Sequence, residues 1–314
     1  MKDNKNIAVV FPGQGSQKSG MGKDFYEQIP VCRATFEEAA DALGWDVSLI
    51  CFGEDERLNL TEYTQPCLVT TEICMLRGLA ERYGFAPDYF GGHSLGEFTA
   101  LVAAGVMPLA DTLKIVQIRG RLMQEAVPVG VGGMAAVISE GIDMEMLAKN
   151  MDGLAAQIAN INSANQVVIS GELPAIDEAE KRLIQNFPPE KTFRFIRLNV
   201  SAPFHSRLMK TIEGPFSDTL EKFSSNVNAQ NASRVTSNFT GAFHSDDGSE
   251  VRKNLVNQIS NTVNWRKNMQ ELADKAQEIY EVGPGRPLRD FFKTIGVACQ
   301  SVTGFSAAEK IFNV

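Results

Sequence analysis

Gly92-His93-Ser94-Leu95-Gly96 sets a serine between small residues in the pattern G-x-S-x-G. A strand candidate, Tyr89 to His93, leads into Ser94. A helical pattern without proline, Leu95 to Ala104, follows at once and is closed by Gly105. A tight strand-to-helix turn of this kind exposes the serine hydroxyl. The helix N-terminus offers free N–H groups and a positive dipole to an oxyanion. That arrangement suits nucleophilic acyl transfer. A plain glycine turn with a serine N-cap is the simpler alternative.

A serine nucleophile needs a base, and the chain has only three histidines, His93, His205 and His244. His93 adjoins the serine, and neighbours on a strand point to opposite faces, so it reads as a packing residue under the turn. His244 lies in the polar stretch Gly241 to Gly248 and reads as solvated. His205 follows the apolar run Phe195 to Val200 through Ser201-Ala202-Pro203-Phe204. A histidine just past a strand end is well placed to reach into a cleft, so His205 is favoured by elimination and by setting.

Arg119 is the next informative residue. Asp111 to Ala126 reads as a helix with Asp111 at its N-cap, and Ile115, Val116, Leu122 and Met123 share the face of Arg119. Arg121 lies instead with Gln117, Gln124 and Glu125, toward solvent. An inward guanidinium cannot shed its charge and needs an anion. That anion is either a protein carboxylate or, in a serine-enzyme cleft, a substrate carboxylate held by two parallel hydrogen bonds.

Three glycine patterns fail as nucleotide loops. Gly13-Gln14-Gly15 has Lys18 where the dinucleotide motif needs glycine, and Gly22-Lys23 is followed by Asp24. Gly130-x-Gly132-x-x-Ala135 has a helix before it and a strand after it, the reverse of the required order. Gly13-Gln14-Gly15 can still bring a backbone N–H close to a ligand at the end of the first strand.

These residues need elements to hold them. Ile7 to Phe11 is a continuous apolar run ending in Pro12-Gly13, which reads as a strand buried on both faces. Helical patterns span about Val31 to Leu43 and Leu68 to Tyr83, so strands and helices alternate as in an α/β fold. After Pro128 the pattern changes. Strands at Met134–Ile138, Leu154–Asn160, Gln166–Ser170 and Thr192–Val200, with helices at Met144–Asn150 and Ala175–Asn186, give the order βαββαβ of a ferredoxin-like unit. A small domain is expected at 129–198, inserted into a larger α/β body formed by 1–128 and 199–314.

Composition bounds the rest. The 314 residues carry a formal charge of −8, which does not suit bulk nucleic-acid binding. The five cysteines form no CxxC pair, so neither a disulfide framework nor a zinc site is expected. The polar lead Met1–Asn6 is followed by only five apolar residues, too few for a signal peptide, and no apolar run reaches membrane length. A cytoplasmic protein that binds no membrane is expected.

Phe11-Pro12-Gly13-Gln14-Gly15-Ser16-Gln17, Gly92-His93-Ser94-Leu95-Gly96-Glu97, Arg119-Gly120, Ala202-Pro203-Phe204-His205-Ser206 and Glu281-Val282-Gly283-Pro284-Gly285 occur in this order. Together they resemble the malonyl-CoA:acyl-carrier-protein transacylases and the acyltransferases of polyketide synthases, over nearly the whole chain. The resemblance implies a hydrolase-like large domain with a ferredoxin-like insert. It implies Ser94 as the acylated nucleophile, His205 as its base, and the N–H groups of Gln14 and Leu95 as an oxyanion hole. Arg119 would bind the malonyl carboxylate, and a main-chain carbonyl, here that of Gln258, would orient the histidine in place of an acid. Asn162 would lie near the acyl group, and Phe204 would disfavour an α-branch. Malonyl-CoA would be the substrate, with no bound cofactor, and the acceptor would be phosphopantetheine carried by an acyl carrier protein.

A monomer is expected. So is a basic patch for an acidic carrier, with Arg207, Lys210, Arg286, Arg289 and Lys293 as candidates; a set of merely solvated charges is the alternative. Two competing functions remain at this level: a hydrolase that clears acyl groups from carriers, and a non-catalytic carrier-docking module.

Overall fold

In the computed structural model, which describes residues 5–188 and 192–312, the chain forms two four-stranded sheets. Met1–Asn4, most of the polar lead, lie outside the described residues. The first sheet consists of β1 (Ile7–Phe11), β2 (Tyr89–Gly92), β7 (Glu278–Val282) and β8 (Cys299–Val302), all parallel in the order β2-β1-β7-β8. The unbroken apolar run of β1 follows from its central place. Val9 and Phe11 enter one core, while Ala8 and Val10 enter another on the opposite face.

The second sheet is antiparallel: β3 (Gly132–Ile138), β4 (Ala156–Ile161), β5 (Gln166–Glu172) and β6 (Arg194–Arg197), in the order β4-β5-β3-β6. Helices Met144–Met151 and Leu173–Asn186 complete the βαββαβ unit. Alternation divides its strands. Ala135, Val137, Val167 and Ile169 pack with Leu147, Ile176 and Leu183 into the unit's own core, while Met134, Ala136 and Val168 join the main one.

Three elements differ from the sequence reading. The helix expected from Leu68 begins at Thr61 and runs through Pro66 to Tyr83. Packing carries it past the proline: Gly120 on the neighbouring helix lets that helix approach so closely that a Cβ there would overlap the Thr61 carbonyl. The Arg119 helix spans Leu109–Glu125 with Pro108 as N-cap, and Asp111 in its first turn accepts from Asn226 Nδ2 at 2.7 Å instead of capping. The last strand of the small sheet covers only Arg194–Arg197, because its register with β3 ends at Ala135–Arg197. All five cysteines are buried free thiols. Among the described residues, no helix is long and apolar enough to cross a membrane.

Candidate active site

β1 and β2 are adjacent and parallel, with Phe11 opposite Gly92, so the chain leaves both strands at the same sheet edge. Ligands of open α/β sheets bind at such carboxyl edges. From β1 comes the loop Pro12–Gly15, and from β2 the turn into helix Gly96–Ala103. Two glycines make that turn possible. A Cβ on Gly92 would overlap the Gly96 carbonyl, and one on Gly96 would overlap the Phe11 carbonyl. Ser94 itself is held at φ 53°, in the left-handed region that a non-glycine residue adopts at a cost. The strand-to-helix elbow is present.

Ser94 Oγ lies 2.7 Å from His205 Nε2, and His205 Nδ1 lies 2.8 Å from the Gln258 carbonyl oxygen. A carbonyl can only accept, so Nδ1 carries the proton and Nε2 is left to accept from the serine. His205 also sits at positive φ, 55°, and is buried. Burial, then the neighbouring Arg119 charge, push its pKa down to about 3, against the smaller opposing effect of the Gln258 bond. The histidine therefore stays neutral.

Arg119 points inward and is buried, whereas Arg121 is exposed. Its Nη1 donates to Gln65 Oε1 (2.9 Å), and its Nη2 to Gln258 Oε1 (2.8 Å) and Ser94 Oγ (3.2 Å). Nε is buried with no partner among the described residues. Burial lowers its pKa to about 10, with Glu97 acting the other way, so it remains charged at neutral pH. A protein carboxylate paired directly with this arginine, one of the two anions open to the sequence, is not found among the described residues.

The N–H groups of Gln14 and Leu95 donate to no acceptor among the described residues, which leaves both available at the sheet edge. Phe204 is buried beside His205. Asn162, at the end of β4, reaches the elbow through His93: its Oδ1 lies 2.8 Å from His93 Nε2, while its Nδ2 donates to Gln166 Oε1. His93 also meets the Trp265 ring edge-on, and burial holds its pKa below the usual imidazole value. The fifth motif supports this geometry from behind. Gly283 lies so close to Pro12 that a Cβ there would press on the ring, and Glu281 caps helix Pro287–Lys293 by accepting from Leu288 N and Arg289 N at 3.0 Å.

The sequence reading of His244 is corrected. His244 is buried, not solvated, and its Nε2 lies 2.9 Å from Glu97 Oε1. The polar stretch around it folds over the elbow helix, where a buried acid awaits it. Three further partners carried no motif in the sequence. Asn238 Oδ1 accepts from the Ser94 N–H at 2.5 Å, Gln65 holds Arg119, and the Gln258 side chain donates to the Ser94 carbonyl and to Glu97. Glu97 was the visible signal: the one charged residue of a helix whose other members are Gly96, Phe98, Thr99, Ala100, Leu101, Val102 and Ala103. No group of three or more His, Cys, Asp or Glu that could hold a metal occurs among the described residues.

Comparison with known proteins agrees with this geometry. The profile of the acyl transferase domain matches residues 8–284. A Bacillus subtilis protein named malonyl CoA-acyl carrier protein transacylase is 37% identical over 296 residues, 92% of this chain and 90% of its own. An acyl carrier protein S-malonyltransferase structure from Vibrio cholerae superposes with a TM-score of 0.90 at 33% identity, covering 98% of this chain and 99% of the other. A type II polyketide synthase malonyl-transacylase, solved in complex with its acyl carrier protein, gives a TM-score of 0.88 at 32% identity, covering 98% and 99%. An elbow serine, a histidine aligned on it and an inward arginine are thus carried on a chain that belongs, by sequence and by fold, to the acyl transferase domain family.

Proposed function

We propose that this chain transfers a malonyl group from malonyl-CoA to the phosphopantetheine thiol of an acyl carrier protein, through a malonyl ester on Ser94. One observation carries the reading: a buried arginine with no paired carboxylate among the described residues donates to the same Oγ that His205 is placed to deprotonate. An acyl group that ends in a carboxylate is the ligand that completes this arrangement.

His205 Nε2 takes the Ser94 proton as Oγ attacks the thioester carbonyl. The oxyanion that forms is received by the N–H groups of Gln14 and Leu95, each worth about 3–4 kcal/mol at the transition state. Collapse expels CoA as the thiol, with the proton returned from His205. The carrier's thiol then gives its proton to His205, attacks the ester and leaves as the malonyl thioester, with Ser94 restored. Arg119 holds the malonyl carboxylate in both halves, Phe204 narrows the space beside the α-carbon, and Asn162 steadies the elbow through His93. The division into a catalytic body, 1–128 with 199–314, and a small domain, 129–198, belongs to the same proposal, and the span of the second sheet supports it. A cytoplasmic location belongs to the same proposal. Arg207, Lys210, Arg286, Arg289 and Lys293 are proposed to meet the carrier; all are exposed except the half-buried Arg289, which pairs with Asp290.

The direct experiment is mass spectrometry of the intact protein after brief mixing with malonyl-CoA. One added malonyl group is expected, absent in Ser94→Ala and discharged faster by holo carrier protein than by water. Faster discharge by water would make the chain a hydrolase; no label would leave it a docking module.

The depressed His205 pKa gives a second expectation. A base with a pKa of about 3 stays unprotonated through the physiological range. Single-turnover acylation of Ser94 should therefore be flat between about pH 5 and 8, where an ordinary imidazole would lose about tenfold on going one unit below its pKa. A substrate carboxylate on Arg119 removes part of the downward push, but burial, the larger cause, remains. A stopped-flow profile with a midpoint near 6.5 would contradict this.

A further inference from the structure

Arg119 is surrounded by neutral partners: two amide oxygens, the serine hydroxyl, and the Phe98 ring, whose centroid lies 5.3 Å from the guanidinium carbon. A buried cation with no counter-charge is strongly destabilising, so the empty site must be balanced by something. The answer lies one amide away. Gln258 accepts from Arg119 through Oε1 and donates through Nε2 to Glu97 Oε2 at 2.7 Å.

Glu97 is fully buried. Its Oε2 also accepts from Asn238 N at 3.0 Å, and its Oε1 accepts from His244 Nε2 at 2.9 Å. Three donors meet this carboxylate and hold it away from the guanidinium. His244 Nδ1 has no partner among the described residues. A carboxylate oxygen can only accept, so the shared proton lies on Nε2, while an N–H at Nδ1 would be buried without an acceptor; the Glu97 charge is left facing Arg119 through Gln258. That charge is the favourable one that Arg119 feels.

We propose that Glu97 is a positioning residue, the fixed counter-charge of Arg119, set one amide behind it so that the empty site is balanced while the guanidinium stays open to the substrate carboxylate. The proposal rests on the reading of Arg119 as the carboxylate receptor. An acid in direct contact would compete with the substrate for the same donors. Held behind Gln258, Glu97 cannot occupy the site, yet its charge tempers the grip on the acyl carboxylate. That lets the product leave.

The test uses Glu97→Gln, which keeps the shape. Its oxygen can still accept from Asn238 and Gln258, and its amide can donate to a His244 that has moved its proton to Nδ1, at the cost of one buried N–H that is the same with and without Arg119. Thermal unfolding is measured for the native chain, E97Q, R119A and the double variant, each with and without malonate as the probe. E97Q should lower the Tm of the empty protein by about 3 °C. That loss should be clearly smaller when Arg119 is also absent, leaving only the cost of the buried His244 N–H, since two coupled charges do not add. Malonate should bind E97Q about tenfold more tightly than the native chain, because the repelling charge is gone.

A Tm loss that is equal with and without Arg119 would overturn the proposal, and so would an unchanged or weakened malonate affinity. A purely structural role for Glu97 predicts both of those results. If E97Q alone does not fold, recovery of folding in E97Q/R119A supports the counter-charge, and failure of both overturns it. If malonate stabilises neither the native chain nor E97Q, the substrate reading of Arg119 falls, while the coupling in the empty proteins still decides the role of Glu97.

Discussion

His205→Ala is expected to slow acylation of Ser94 by malonyl-CoA by about 10⁴- to 10⁶-fold, the scale on which removal of the base costs serine enzymes. Two features support the upper part of that range. Neither of the other two histidines can replace it: His93 is turned toward Asn162, and His244 toward Glu97. The histidine is also buried along with Phe204, so bulk water cannot readily take its place. The measurement is the single-turnover rate of ester formation followed by mass, with circular dichroism checking the fold. His205→Ala should retain binding of malonyl-CoA, because Arg119 is held by Gln65 and the Gln258 side chain and by no atom of the histidine. A loss below about tenfold would remove His205 from the proton path.

What the sequence made legible is what is short-range. The elbow is written in five consecutive residues, because the glycines that allow it must flank the serine. The inward face of Arg119 follows from helical spacing alone. The two-faced burial of β1 follows from its unbroken apolar run. The partners that hold these groups were not legible, because they come from far along the chain and carry no pattern of their own. Asn238 reaches Ser94 across 144 positions and Gln258 reaches Arg119 across 139. His244 illustrates the difference. Its neighbours in sequence are polar, but the surroundings of a side chain are set by what packs against it, and a buried carboxylate on another element outweighed the local composition. Gln258 entered the reading only through the family resemblance and for its carbonyl; its side chain proves to be the link between arginine, serine and acid.

Arg119→Ala is expected to lower kcat/KM for malonyl-CoA by about 10²- to 10³-fold while acetyl-CoA is used as well as before or better. Each charge-assisted hydrogen bond to a carboxylate contributes about 1.5–3 kcal/mol, and a guanidinium can offer two in parallel, so the full loss runs to several kcal/mol. Part is recovered, because truncation frees Gln65 and Gln258 to bond water in the space left behind. Acetyl transfer should follow the opposite course. An acetyl group offers no carboxylate, so in the native site it leaves the guanidinium with only the Glu97 charge behind Gln258, and removing the arginine removes that remaining penalty. The variant should thus exchange specificity instead of losing activity, a result that general unfolding cannot mimic, since damage to the elbow would depress both substrates together. Competition between malonyl-CoA and acetyl-CoA for one carrier protein, read by mass, measures the ratio directly. The ratio should fall by at least the factor lost from malonyl transfer alone. If both rates fall in parallel, Arg119 supports the serine, to which it donates at 3.2 Å, and does not select the acyl group. If neither falls, the carboxylate is bound elsewhere, and the counter-charge at Glu97 balances an arginine whose place in the site is structural.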